Sequence, residues 1–169
     1  NRNLLRNRRI ISVWPVRGGP VVQDGRVYFA AGVVPLEGAF VYALDAATGE
    51  VVWHCDVLNH IYEKQPHGAD AFGGLSPQGY LLIHNGELII PSSASLPARL
   101  DLETGKVIKY EIPDERLKSE SWFAAVQPEG PPDTSRWRVA SSYDFKKMLH
   151  ETGPRGDPRT GVRGIHNSF

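Results

Sequence analysis

The chain has 169 residues, 41% of them hydrophobic and 22% charged, a balance that belongs to folded rather than disordered sequences. Its 19 basic and 19 acidic side chains cancel, so the basic excess of a nucleic-acid-binding surface is missing. The single cysteine, Cys55, excludes an intrachain disulfide framework and a cysteine-rich zinc site, and no apolar run approaches the roughly 20 residues that a membrane helix needs.

The sequence opens on Asn1 rather than Met and reads as part of a longer protein. Residues 1–9 hold four arginines with no interleaved aromatic residue and read as a solvated segment. Beyond them, 17 glycines and 13 prolines punctuate short apolar runs, the pattern of many short strands joined by turns. Strands are expected at 10–16, 26–30, 40–44 and 51–55 from their β-branched and aromatic content. Asp24-Gly25 sits between apolar runs at 20–23 and 26–30 and predicts a hairpin, because both central residues of its turn need φ > 0. Next comes Asp45-Ala46-Ala47-Thr48-Gly49, in which the carboxylate can accept backbone N–H groups across the turn and Gly49 supplies the left-handed conformation. Residues 58–76, about 19 long, read as a connection longer than those usual between strands. Asn85-Gly86, between runs at 80–84 and 87–91, repeats the hairpin, and Asp101-Leu102-Glu103-Thr104-Gly105 repeats the second turn. Residues 112–118 read as a loop or short helix. Strands of a third unit are expected at 121–127 and 136–142 around a loop at 128–135. Residues 144–151 have helical composition, and the chain from 153 onward reads as irregular.

Two copies of a hairpin followed by an Asp-x-x-Thr-Gly turn constitute an internal repeat. The hairpin glycines lie 61 residues apart and the Thr-Gly glycines 56, so connections vary while turn chemistry persists. Four strands per repeat describe one propeller blade. The expected fold is therefore all-β: a partial β-propeller of four-stranded antiparallel blades, forming one domain over 1–169. Blade 1 is expected at about 10–56, blade 2 at about 78–112, and a partial third blade with an irregular tail at about 119–169. A ring closes with roughly 4–8 blades, so the remaining blades of the same protein, or partner chains, are the expected partners.

The string Ala43-Leu44-Asp45-Ala46-Ala47-Thr48-Gly49-Glu50-Val51-Val52-Trp53 resembles the tryptophan-docking repeat of the quinoprotein (PQQ-like) β-propeller family, A-x-D-x-x-T-G-x-x-x-W. The resemblance implies that Ala43, Asp45, Thr48, Gly49 and Trp53 are structural, with Trp53 packing between blades. Asp101, Thr104 and Gly105 match in the second copy, but Arg99 stands in place of Ala and Lys109 in place of Trp, with Tyr110 one position on. Trp14-Pro15-Val16-Arg17-Gly18-Gly19, Gln65-Pro66-His67 and Ser76-Pro77-Gln78-Gly79-Tyr80 are similar to a sub-group of PQQ-like repeat proteins of planctomycete-type bacteria. By the same resemblance, a periplasmic or extracellular location is expected.

Quinoprotein dehydrogenases hold PQQ over calcium and need a base carboxylate, a cluster of calcium-binding oxygens and, often, adjacent cysteines. The cysteine pair is missing here and no acidic cluster has calcium spacing, so neither a cofactor nor a metal site is expected in this segment. The six histidines are scattered, none in an H-E-x-x-H or H-x-H arrangement. His67, Asp70 and Gln78 are candidates for lining a ligand pocket from the long connection, against the alternative of an ordinary surface loop. Trp14 and Arg17 offer a second choice: Arg17 clamps an anionic or sugar-like ligand, or it bridges to Glu37 or Asp56. Two functions follow as expectations. One is a non-catalytic scaffold, or a module binding a partner, carbohydrate or small molecule. The other is the propeller portion of a PQQ-dependent oxidoreductase, with PQQ and calcium, whose catalytic residues lie outside this segment.

Overall fold

The computed structural model describes residues 2–6, 8–33, 35–65, 68–93, 95–112, 124–128 and 137–141. Every regular element among them is a β-strand except a single 3-10 turn at Pro35–Glu37. All strand pairing is antiparallel.

An N-terminal ribbon pairs β1 (Asn3–Arg6) with β2 (Arg9–Ser12). The solvated segment expected at 1–9 is thus largely strand. The strand expected at 10–16 is divided, because its first half belongs to this ribbon and its last residue opens the next sheet. That sheet runs β3 (Val16–Gln23), β4 (Arg26–Ala31), β5 (Phe40–Asp45) and β6 (Val51–Cys55) in sequence order. The connection expected at 58–76 is not a bare loop: it contains a second ribbon, β7 (Ile61–Lys64) with β8 (Asp70–Gly73). Its exposure alternates, Ile61 and Glu63 half-buried and Tyr62 and Lys64 exposed, and Tyr62 meets Phe72 edge-on across the pair, ring centroids 5.0 Å apart. A second four-stranded sheet follows, β9 (Leu82–His84), β10 (Glu87–Ile90), β11 (Ala98–Asp101) and β12 (Val107–Lys109). A third pair, β13 (Ala124–Pro128) with β14 (Trp137–Ser141), approaches β9. The helical segment expected at 144–151 and the tail from 153 lie outside the described residues.

The two four-stranded sheets share their local chemistry. Asp24 and Asn85 take φ of 49° and 50°, and the glycines after them 74° each, the double positive-φ pattern of a type I′ hairpin. The Asp-x-x-Thr-Gly turns also coincide. Asp45 N–H donates to Glu50 O and Gly49 N–H to Asp45 O, just as Asp101 N–H donates to Lys106 O and Gly105 N–H to Asp101 O. Each turn is tied to the hairpin beside it, Ala46 N–H to Gly25 O and Leu102 N–H to Gly86 O.

One buried cluster joins the sheets, with Tyr28, Val41, Ala43 and Trp53 from the first and Leu88, Ile90 and Leu100 from the second. The faces that meet are opposite ones. Tyr28 stands three residues after its hairpin glycine and Leu88 two after the equivalent glycine, and adjacent strand residues point to opposite faces. The stacking is therefore head to tail. The first sheet's face carrying Val27, Phe29, Tyr42 and Leu44 matches the second sheet's buried face of Leu88, Ile90, Ala98 and Leu100, yet is only half-buried. Phe29, Tyr42 and His54 stack across it, centroids 5.4 Å and 5.9 Å apart.

Candidate functional site

Chain direction sorts the molecule into two ends. The x-Gly hairpins and Asp-x-x-Thr-Gly turns occupy one end of each sheet. The starts of β3 and β5, the ends of β4 and β6, and the 3-10 turn occupy the other.

At the turn end, Asp45 Oδ1 accepts the N–H groups of Ala47 (2.9 Å) and Thr48 (2.8 Å), and Thr48 Oγ1 accepts from Glu50 N–H. Asp101 Oδ1 accepts Thr104 N–H (2.8 Å) and the Thr104 hydroxyl (2.6 Å). These donors favour the carboxylate over the acid, so both groups titrate below the ordinary aspartate value, Asp45 chiefly through Thr48 N–H and Asp101 chiefly through the Thr104 hydroxyl. The second turn is also a receptor. Trp53 leaves the first sheet, lays its ring over Gly105 and donates its indole N–H to Leu102 O at 3.1 Å. A Cβ on Gly105 would stand 2.6 Å from Trp53 Cδ2 and 3.0 Å from Cζ3, too close for any side chain. Arg26 reinforces the junction from β4, its Nη1 2.7 Å from Glu103 Oε2, and that bond raises the guanidinium further above its usual value. Tyr28 packs beside Trp53, ring centroids 5.9 Å apart. Ala43, with no exposed surface, pairs with Trp53 across the strands, where a larger side chain would fill the indole's space. Gly49, at the matching place in the first turn, meets nothing within 4 Å among the described residues.

At the loop end the 3-10 turn is held from three directions. Trp14 Nε1 donates to Glu37 O and its ring meets Phe40 edge-on, centroids 6.0 Å apart. Asn59 Oδ1 accepts Ala39 N–H, and His60 Nε2 bonds Leu36 O at 2.9 Å. Since a carbonyl only accepts, His60 Nε2 carries the proton there. His60 itself has φ of 55°, a conformation that histidine enters more readily than most residues. Asn59 and His60 leave no local signal in the sequence, because each pairs with a segment twenty or more residues earlier.

Of the ligand candidates, Trp14 is committed to this bracing. Arg17 lies on β3, half-buried and with no ion pair among the described residues. It does not bridge to Glu37 or Asp56, and Arg2 approaches Glu37 instead, at 3.5 Å. Gln78 is half-buried and donates its backbone N–H to Pro91 O. Arg17 and Gln78 come near each other through their neighbours, because a Cβ on Gly18 would stand 2.8 Å from the Gly79 carbonyl carbon. Asp70 opens β8, exposed, on the ribbon that packs against the 3-10 turn. His67 lies outside the described residues. No hydrogen bond or ion pair joins Trp14, Arg17, Asp70 and Gln78 to one another among the described residues.

Among the described residues no group of three or more His, Cys, Asp or Glu side chains is gathered as a metal ion would require. Cys55 is buried, and burial raises its thiol above the usual value. Ser76, Ser92 and Ser93 form a local lattice, with Ser93 Oγ on Ser76 Oγ and Ser76 Oγ on Val33 O. No helix among the described residues is long and apolar enough to cross a membrane. Neither a family model nor a characterised protein matches the chain in sequence comparison.

Proposed function

We propose that this chain is a segment of a propeller-like ring of four-stranded units, related to the PQQ-like repeat proteins, and that it serves as a non-catalytic scaffold displaying a partner- or ligand-binding surface at its loop end. The head-to-tail stacking of the two sheets carries this reading. A head-to-tail contact uses two different surfaces, so every unit that is docked on one side leaves a free surface on the other, and repetition either closes a ring or continues without limit. The first sheet retains such a surface: the half-buried stack of Phe29, Tyr42 and His54, and Gly49 with open space above it. A further unit of the same protein, or of a partner chain, covers it.

The loop end supports the binding role. Arg17 brings a half-buried cation with no ion pair among the described residues, and the next residue, Gly18, lies against the backbone of Gly79, which follows the half-buried Gln78. A carboxylate or a sugar hydroxyl cluster suits that cation, since a guanidinium presents several donors in a fixed fork.

Purified full-length protein tests the reading in two ways. Tyr42→Asp should destabilise it as a buried substitution does, by about 2 kcal/mol or more; a change within about 0.5 kcal/mol, as at an open surface, overturns the ring. The protein should also be colourless and melt at the same temperature with and without calcium. A quinone chromophore with calcium-dependent melting would replace the scaffold reading by that of a quinoprotein oxidoreductase.

A further inference from the structure

The ribbon of β7 and β8 lies in the chain between the two four-stranded sheets and belongs to neither. It packs against the 3-10 turn of the loop end. Its base is pinned, because Leu75 N–H donates to Leu58 O at 2.8 Å, and both leucines belong to the shared core. Its inner face is held as well. Ile61 packs against that core, and the buried Gln65 amide donates to Glu63 O (3.1 Å) and Ala71 O (3.2 Å), one carbonyl on each strand. Asn59 and His60 fix the entry to the ribbon through Ala39 N–H and Leu36 O.

The outer face has no such role. Residues two apart along a strand share a face, so Tyr62 and Lys64 of β7 stand together, opposite Phe72 and Asp70 of β8. Tyr62 is 62% exposed and Phe72 55%, although water disfavours apolar surface of that size. Their rings meet edge-on, 62° between planes. An edge-on pair covers a face of only one of its rings, so flat aromatic surface stays open. Lys64 and Asp70 are also exposed and pair directly across the strands, yet among the described residues neither takes part in an ion pair. A donor and an acceptor thus stand free at one end of an apolar platform whose two charges cancel.

We propose that this outer face is a carbohydrate-binding platform, on which a neutral pyranose chain stacks against Tyr62 and Phe72 and hydrogen-bonds Lys64 and Asp70. The inference rests on the loop-end binding reading above and moves its ligand to the ribbon. A pyranose has polarised C–H groups on its faces and hydroxyls around its rim. The C–H groups meet the negative face of an aromatic ring. The hydroxyls both donate and accept, which matches an ammonium that only donates beside a carboxylate that only accepts. The cancelling charges disfavour polyanions and anionic lipid, which basic clusters attract. A proline-rich peptide lies in an aromatic-lined groove, and Tyr62 and Phe72 touch each other and leave none between them. The bracing by Gln65, Asn59 and His60 holds the platform ready, so binding orders little of the protein.

Titration calorimetry of the full-length protein tests the platform. Cellohexaose, xylohexaose and mannohexaose are the neutral probes, and polygalacturonate and a decaproline peptide the counter-probes. At least one neutral hexaose should bind. Tyr62→Ala and Phe72→Ala should each weaken that binding by roughly five- to thirtyfold, as loss of an aromatic anchor does. Neither should move the melting temperature by more than about 2 °C, as befits exposed positions. Lys64→Met and Asp70→Asn should each weaken it by roughly two- to tenfold. Binding of no neutral hexaose, or binding that survives both aromatic substitutions, overturns the proposal. Binding lost in Arg17→Ala but kept in Tyr62→Ala moves the ligand to β3, which overturns the ribbon site and leaves the loop-end reading standing. Polygalacturonate or decaproline bound in preference to every neutral hexaose makes the occupant a polyanion or an extended peptide and overturns the carbohydrate. The ring itself is judged separately, by Tyr42→Asp.

Discussion

The indole of Trp53 fills the space that any side chain on Gly105 would need, and its N–H ends on Leu102 O three residues before that glycine. One side chain thus reads both the shape and the polarity of the neighbouring sheet's turn. A buried indole requires a hydrogen-bond acceptor and a flat surface, and the turn supplies both from backbone atoms alone.

Gly105 and Gly49 have the same turn and nearly the same φ, 70° and 74°, but different surroundings. Gly105→Ala combines left-handed strain with a collision against Trp53 and should cost about 2–4 kcal/mol. Gly49→Ala, with open space above it, should cost about 1–2 kcal/mol from strain alone. Urea unfolding of the two variants measures the difference. Equal losses would show that the Trp53 contact contributes nothing.

Trp53 should dominate the joint. Trp53→Ala removes a buried ring from the shared cluster and is expected to cost about 3–5 kcal/mol. Trp53→Phe keeps most of the ring but leaves Leu102 O without its donor, an expected loss of about 1–3 kcal/mol. Denaturant unfolding of both variants, with hydrogen exchange at Leu102 and Gly105, checks the order.

Acid should act through the turns. Asp45 and Asp101 titrate below the ordinary aspartate value of 3.8 in the folded chain. Their contribution is therefore complete above that value and is lost as pH falls through the lower folded values. Asp45→Asn with Asp101→Asn keeps an acceptor oxygen in each turn but removes the titration. The double variant should show a flatter stability profile below pH 3.8 than the parent, measured by thermal melting across an acid series.

Alkali should act through Tyr110. Burial pushes its hydroxyl from 10.0 up to about 12, with Ser95 pulling the other way. The unfolded chain ionises first, so stability holds below pH 10 and falls as pH rises from there through about 12. Tyr110→Phe should remove that fall, and its melting temperature between pH 9 and pH 11 should track the parent's less steeply. Among the described residues the Tyr110 hydroxyl has no hydrogen bond meeting ordinary geometry, so the substitution itself should be nearly neutral at pH 7.

Much of the local structure was legible in the sequence. Asp24-Gly25, Asn85-Gly86 and the two Asp-x-x-Thr-Gly turns announce themselves because positive φ and side-chain acceptors are properties of a few adjacent residues. The strands beside them follow from the same punctuation. The ribbon at Ile61–Lys64 and Asp70–Gly73 was not legible, because four-residue strands without a two-residue glycine turn resemble a loop. The bracing of the 3-10 turn by Asn59 and His60 was hidden for a different reason. A side chain that caps a distant carbonyl leaves no periodicity behind.

What the sequence determined by itself was the set of turns, the antiparallel all-β class and the recurrence of one unit, since these depend on backbone preferences a few residues wide. What the tertiary structure decided was direction: that the first sheet offers Trp53 to Gly105, and that the two sheets meet head to tail. Trp53 and Gly105 stand 52 residues apart, and nothing local connects them. Only stacking brings the ring over the one position that lacks a side chain, and only stacking shows that Gly49, its twin in the sequence, has nothing above it.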